Sequence, residues 1–392
     1  MGENPYKQKF LALNEQLAAA GYDVLTRKPG VSYKELVEKA EAILAQSDEN
    51  ASEDDKLSEQ DSISFASPQD VIHAAFDPGN RSILFYDGET KVELASTYSQ
   101  LIGNREPQRM NLQSTLINLQ SSEGSPEFNG WRYVLGTAAQ NQRKFERVYN
   151  RPKFEESLLY LLPCIAKAFG DRGEISLNLH VNATEADVNE STLKQKLLGT
   201  TCFHYDGRDF KLNVEQITAF EEGLGAFFLY QERQPTETGK FYGVLNLGGA
   251  TLDALLCDHQ GYVYLDNSFR SPKGGAFDLC IELKNTIAAA YEQARHIPID
   301  FFMDAVKSGD YVINGEYDFT ELVQPTVDSW FRDLLGNVKA QWETYFHRID
   351  RYVITGGGAY LVKDKLASLN RFHLAADPIF DNVVGIYGRE KI

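Results

Sequence analysis

Residues 243–258 read GVLNLGGATLDALLCD, the most informative stretch of the chain. Gly243–Leu247 and Leu252–Asp258 are short apolar runs, and Gly248-Gly249-Ala250-Thr251 separates them. Short apolar runs on either side of a glycine turn read as strand, turn, strand. His259-Gln260-Gly261 then leads toward a further expected strand at Tyr262–Leu265. Glycine has no Cβ and tolerates positive φ, so the backbone N–H groups of such a turn can approach phosphate oxygens.

The same device stands earlier, in VIHAAFDPGNRSILFY at residues 71–86. Val71–Phe76 and Ser82–Tyr86 form an expected hairpin around Asp77-Pro78-Gly79-Asn80. A third glycine turn, Gly356-Gly357-Gly358, follows the apolar run that ends at Thr355. One such turn is an ordinary hairpin connection; three, each directly after an apolar run, point to a phosphate-binding cleft. Neither GxxxxGK[ST] nor a GxGxxG after a strand occurs, which argues against P-loop and Rossmann sites. Two strand–turn–strand units in one chain suggest a duplicated, two-lobed α/β fold.

Helices are expected at 154–169, 215–231, 277–295, 325–347 and 361–369. Upstream, Phe10, Leu13 and Leu17 recur at helical spacing, and a second helix starts at Ser32, capped by Glu35. Residues 46–70 are acidic and serine-rich with little to bury, the composition of a flexible linker. The expected division is a helical extension at 1–45, a linker at 46–70 and lobes at 71–215 and 216–392.

At 392 residues the chain is long enough for two lobes. A net charge of −17 argues against direct binding to nucleic acid, which needs a basic surface. The four cysteines form no CxxC pair and the histidines no metal spacing, so free thiols and no zinc site are expected. No apolar run reaches the ~20 residues that cross a bilayer, and no signal segment opens the chain. Cytoplasmic is the expected location, with no membrane partner.

A cleft for Mg-ATP also needs carboxylates to hold the water shell of the metal. Asp77 ends the first strand. Glu222 opens the apolar segment that runs to Tyr230, where a carboxylate would orient or deprotonate an attacking water. The adjacent Glu221 is the alternative, and a solvent-facing acid at a helix start is the plain reading of either.

In this order the segments resemble the actin superfamily of ATPases and, within it, the bacterial ParM/StbA filament proteins. Phe76 to Asn80 looks like the first phosphate loop, Glu222 to Tyr230 like the first connecting helix and Leu245 to Asp253 like the second phosphate loop. Val353 to Tyr360 looks like the adenosine loop, and Phe380 to Gly388 is similar to the closing segment of the ParM/StbA group. The resemblance implies an ATP/ADP site with Mg2+. In it Gly79 and Asn80 would hold phosphate, and Gly248, Gly249, Ala250 and Thr251 would grip the outer phosphates. Gly356, Gly357, Gly358 and Tyr360 would flank adenosine, and Gly275 would approach the ribose-phosphate. Asp77 would hold Mg2+ through water, and Glu222 would position the attacking water.

Two positions depart from the family pattern. Asn246 stands where an acid is expected, and Leu84 where many actins carry lysine. Both imply slow turnover. The resemblance further implies self-assembly into filaments, ATP hydrolysis coupled to polymerisation, and plasmid DNA segregation through a DNA-binding adaptor. A nucleotide-regulated scaffold that barely hydrolyses ATP is the alternative. A sugar or acetate kinase on the same fold is less favoured, because no substrate-binding segment is evident.

Overall fold

The computed structural model describes residues 71–101, 115–140, 142, 145–147 and 154–391, together with Lys9, Leu13 and Val37. The chain divides into two units, Met1–Ser67 and Pro68–Ile392. Of the expected N-terminal helices only Lys9, Leu13 and Val37 are described; all are helical, and Val37 is buried. The acidic linker lies outside the described residues.

The second unit is built on two sheets of the same plan. In the first, β1 (Ile72–Pro78), β2 (Ser82–Tyr86) and β3 (Lys91–Ala95) form an antiparallel meander. β8 (Glu174–Ala183) and β10 (Arg208–Glu221) then run parallel to β1. In the second, β11 (Phe241–Leu247), β12 (Leu252–Asp258) and β13 (Phe269–Ser271) repeat the meander. β16 (Ile349–Thr355) and β17 (Phe372–Leu374) repeat the parallel pair. The orders β3-β2-β1-β8-β10 and β13-β12-β11-β16-β17 therefore superpose term by term, and the two-lobed duplication stands. β4 (Thr97–Leu101), β5 (Thr115–Ser122), β6 (Arg132–Leu135), β7 (Glu146–Arg147) and β9 (Gly199–Tyr205) extend the first sheet beyond β10. A two-stranded ribbon, β14 (Val312–Ile313) with β15 (Tyr317–Asp318), is attached to the second lobe.

Side-chain alternation along each strand separates the cores. Helices α1 (Ser157–Ala168) and α2 (Ala186–Leu197) cover one face of the first sheet over Leu177, Leu179 and Val181. Helices α4 (Ala276–Ala290), α5 (Ile299–Ser308) and α6 (Thr320–Gln341) cover the second sheet over Leu245 and Leu247. Between the sheets, α3 (Leu224–Arg233) and α7 (Asp381–Ile386) share one core with Ala75, Leu84, Phe220, Tyr242, Val244 and Val353. Glycine makes the α3–α7 crossing possible: a Cβ on Gly385 would overlap the carbonyl of Gly225, and one on Gly225 the carbonyl of Asn382.

Two expected elements differ. The segment 215–231 is not one helix: β10 occupies it to Glu221, and α3 begins only at Leu224. A bulge between Val214 and Gln216 inserts one residue, so Val214 and Ile217 stand three apart on one face; Phe220, three further on, is buried on the opposite face, and the three positions together mimic a helical stripe. β10 therefore runs through the expected lobe boundary at 215/216, and the change of sheet falls between Glu221 and Phe241. Tyr262–Leu265 is not a strand either. Asp258 takes the N–H groups of Gln260, Gly261 and Tyr262 on one carboxylate oxygen, leaving a single bridge from Val263 to Cys257. All four cysteines are free thiols, and among the described residues no helix is long and apolar enough to cross a membrane.

Candidate functional site

In α/β sheets ligands collect beyond the carboxyl ends of the parallel strands. β1, β8 and β10 end at Pro78, Ala183 and Glu221; β11, β16 and β17 end at Leu247, Thr355 and Leu374. Ala75 and Val244 face the core between the sheets, so two residues further on Asp77 and Asn246 face the same way. Val181 faces outward under α2, which turns Asn182 inward. Glu222 follows β10 directly. Glu222, Asn246, Asp253 and Asn182 are all buried.

The three glycine turns meet around these ends. In the first, a Cβ on Gly79 would stand 2.5 Å from the carbonyl of Ser82, so this tight turn requires glycine. Ser96 locks it, its Oγ donating to the Gly79 carbonyl at 2.5 Å and its N–H to Arg81 at 2.9 Å. Asn80 and Arg81 lead from it into β2. In the second, the Gly248 N–H donates to the Thr251 carbonyl at 2.9 Å, and Ala250 lies between them. A Cβ on Gly249 would lie 3.0 Å from the Cβ of Arg81, which places the second turn beside the first. Gly275, the residue before α4, packs so closely on Ala250 and Thr251 that no Cβ fits. The first N–H groups of α4 donate to the carbonyls of Gly248 (3.1 Å) and Gly249 (2.8 Å), which pins the turn to the helix.

In the third turn the glycines divide their work. Gly356 has φ +85° and faces Asn246 Oδ1 and the Leu247 carbonyl, each 2.5 Å from where its Cβ would be. A Cβ on Gly358 would stand 3.0 Å from the Leu247 carbonyl, whereas one on Gly357 would meet nothing within 4 Å. Gly356 and Gly358 thus join the third turn to the second, and Gly357 faces open space. Tyr360 follows on the same short 3-10 segment with its ring half-exposed.

The adjacent acids part company. Glu221 accepts the N–H groups of Glu185 (3.1 Å) and Ala186 (2.6 Å) and so caps α2, while burial raises its carboxyl pKa. Glu222 accepts from the Thr184 hydroxyl at 3.0 Å. The next residue, Gly223, lies against Asn246: its Cβ would be 3.4 Å from that of Asn246. The structure therefore brings Glu222, Asn246 and Gly356 into one neighbourhood.

Asp253, Asn182 and Arg81 were not singled out from sequence. Asp253 lies directly across the β11–β12 hairpin from Asn246, accepts from the Thr251 hydroxyl at 3.2 Å and pairs with Arg270 at 3.4 Å. The hairpin register gives it away: a four-residue turn pairing Leu247 with Leu252 places residues 246 and 253 opposite each other. Asn182 is wholly buried, and neither atom of its amide has a hydrogen-bond partner among the described residues. Buried amides are rarely left so, and polar ligands or water normally take such groups. Its signal is the alternation Ile175, Leu177, Leu179, Val181, which leaves His180 and Asn182 on the inner face.

Among the described residues no three His, Cys, Asp or Glu side chains converge as direct metal ligands. Mg2+ that arrives with phosphate needs only one or two carboxylates and keeps most of its water. Asp77, the spare amide of Asn182 and the open side of Gly357 are compatible with such a guest.

A family model, the C-terminal part of the archaeal actin homologue MreB-like proteins, matches residues 244–368. Ta0583, an archaeal actin homologue, superposes with a TM-score of 0.64 at 16% identity, covering 80% of this chain and 97% of that one. A 15-stranded ParM filament from Clostridium botulinum gives a TM-score of 0.63 at 16% identity, over 80% and 97% of the two chains. Bacillus thuringiensis ParM with ADP gives 0.59 at 14%, again over 80% and 97%. No curated protein matches the chain in sequence. The chain has the fold of the actin superfamily and, within it, resembles ParM.

Proposed function

We propose that the crevice between the two sheets binds ATP and ADP with Mg2+, and that nucleotide state governs assembly of the chain into filaments. The observation that carries this reading is the meeting of the glycine turns: Arg81 against Gly249, Gly275 against Thr251, and Asn246 between Gly223 and Gly356. Phosphate would lie along Gly79, Asn80 and Gly248 to Thr251, and adenosine along Gly356 to Tyr360. Mg2+ held through water by Asp77 would offset phosphate charge. Glu222, oriented by the Thr184 hydroxyl, would hold the attacking water, and Asn246 would accept or donate a hydrogen bond there without adding charge. The chain would hydrolyse ATP slowly.

Self-assembly is supported by the likeness to ParM, of which the Clostridium botulinum protein forms a 15-stranded filament. Segregation of plasmid DNA in the cytoplasm is the cellular role we propose. The net charge of −17 calls for a basic DNA-binding adaptor rather than direct contact. The neutral Asn246 favours a second reading, a nucleotide-regulated scaffold with little hydrolysis. Titration calorimetry with ATP and ADP tests the site. Phosphate release measured beside pelleting separates the two readings: filaments that turn over with phosphate release support the first, and nucleotide-dependent assembly without release supports the second.

A further inference from the structure

We infer that Arg81 is a cation shared between two anions, the Asp304 carboxylate and the polyphosphate of a nucleoside triphosphate. This rests on the nucleotide reading of the crevice and adds to it the group that senses phosphate charge.

The backbone of Arg81 is fixed, because Ser96 donates to its carbonyl at 2.9 Å and to that of Gly79 at 2.5 Å. Only the side chain is free to turn. Its aliphatic stem lies over Gly249, where a Cβ would stand 3.0 Å from Arg81 Cβ and 3.6 Å from Cδ. Its guanidinium crosses to the other lobe and donates to Asp304 Oδ1 on α5 at 2.9 Å. The Asp304 side chain is 77% exposed and that of Arg81 32%, so the pair is wet and weak. Asp304 returns to water at little cost when Arg81 leaves.

The crevice needs such a cation. Asp77 and Glu222 lie at the strand ends and repel a polyanion. Arg270 is committed to Asp253, whose side chain is 5% exposed, and removing it would strand a buried charge. Arg81 has no such obligation. A guanidinium offers its donors in a fork that fits two phosphate oxygens, a stronger match than one exposed carboxylate oxygen. One helical turn along α5, Lys307 pairs with Glu93 of β3 at 2.9 Å, and the Ser82 hydroxyl also donates to Glu93 at 2.8 Å. This second pair keeps α5 beside the meander while Arg81 exchanges partners. Linkage is reciprocal: whatever weakens the hold of Asp304 strengthens the hold of phosphate by the same factor.

Calorimetric titration of the full chain with ATP and with adenosine, in the parent and in Arg81→Ala, Arg81→Lys and Asp304→Asn, tests the exchange. Arg81→Ala should weaken ATP about 10- to 100-fold while adenosine, which carries no phosphate, binds as in the parent. Arg81→Lys should recover part of the loss. Asp304→Asn should tighten ATP about two- to fivefold, the scale of an exposed ion pair. Unchanged ATP affinity in Arg81→Ala, or weaker ATP binding in Asp304→Asn, overturns the exchange. A parent chain that binds neither ligand overturns the nucleotide reading with it, whereas binding indifferent to Arg81 overturns the exchange alone.

Discussion

Substituting valine at Gly357 and, separately, at Gly356 divides ligand space from protein space within three residues. A Cβ at Gly357 meets nothing within 4 Å, and Gly357 is absent from the positive-φ glycines, so valine there should shift stability by no more than about 0.5 kcal/mol. Its branches would project into the space assigned to adenosine. Forcing extra carbons into a packed contact costs about 1–3 kcal/mol, so ATP should bind about 5- to 150-fold more weakly. Gly356 is the opposite case. Its φ of +85° with ψ of 163° is a conformation essentially confined to glycine that costs a side chain about 1–3 kcal/mol, and a Cβ would stand 2.5 Å from the Leu247 carbonyl and from Asn246 Oδ1. Gly356→Val should lower the thermal midpoint by several degrees as well as binding. Differential scanning calorimetry and ATP titration of the same preparations give both axes. A stable Gly357→Val chain with parental ATP affinity would place the pocket elsewhere, and a strongly destabilised one would refute the open-space reading of that residue.

Asn246→Asp should raise phosphate release on the order of tenfold, about 1.4 kcal/mol of barrier, and Glu222→Ala should lower it with ATP binding nearly intact. Because Asp253 lies directly opposite, the new carboxylate should also lower the melting temperature unless Mg2+ is present; unchanged turnover in both variants would sink these roles. His180 accepts the Gly388 N–H on Nδ1 at 3.0 Å, and burial, with His73 beside it, holds its pKa below the ordinary 6.5. The folded state therefore prefers neutral His180, its contribution is full above pH 6.5, and stability is lost as pH falls below that value while the unfolded chain takes up the proton. Thermal scans from pH 7.5 to 5 should fall by at most about 1.4 kcal/mol per pH unit from this group, and His180→Gln should flatten the slope; equal slopes would remove His180 from the account. Gly385→Ala should cost at least about 1–3 kcal/mol in a urea titration, since the clash is with the Gly225 backbone and no side chain can yield; a neutral outcome would mean that the α3–α7 crossing is looser than described.

The parts legible in the sequence are those whose signal is local. Gly248-Gly249-Ala250-Thr251 between two apolar runs is a hairpin by composition alone, and β12 has the expected bounds, Leu252–Asp258. β10 reads as helix in the sequence because a bulge sets Val214 and Ile217 three apart and burial on the opposite face adds Phe220 three further on; both are decided by neighbouring elements. The choice between Glu221 and Glu222 was open for a similar reason. Glu221 is spent on the N-terminus of α2, some 35 residues away in sequence, and only tertiary structure shows that debt. Asp253 was readable from the hairpin register. Arg81 was not, because its partner Asp304 lies 223 residues downstream.

In the function we propose, nucleotide in the crevice between the two sheets controls assembly. Electron microscopy of the purified chain with Mg-ATP, with Mg-ADP and without nucleotide tests it most directly, with calorimetric ATP titration of the same sample alongside. ATP binding should be saturable, and filaments should form in Mg-ATP, be scarce in Mg-ADP and be absent without nucleotide. Filaments of equal number and length in all three conditions, or no ATP binding by a folded chain, would contradict it.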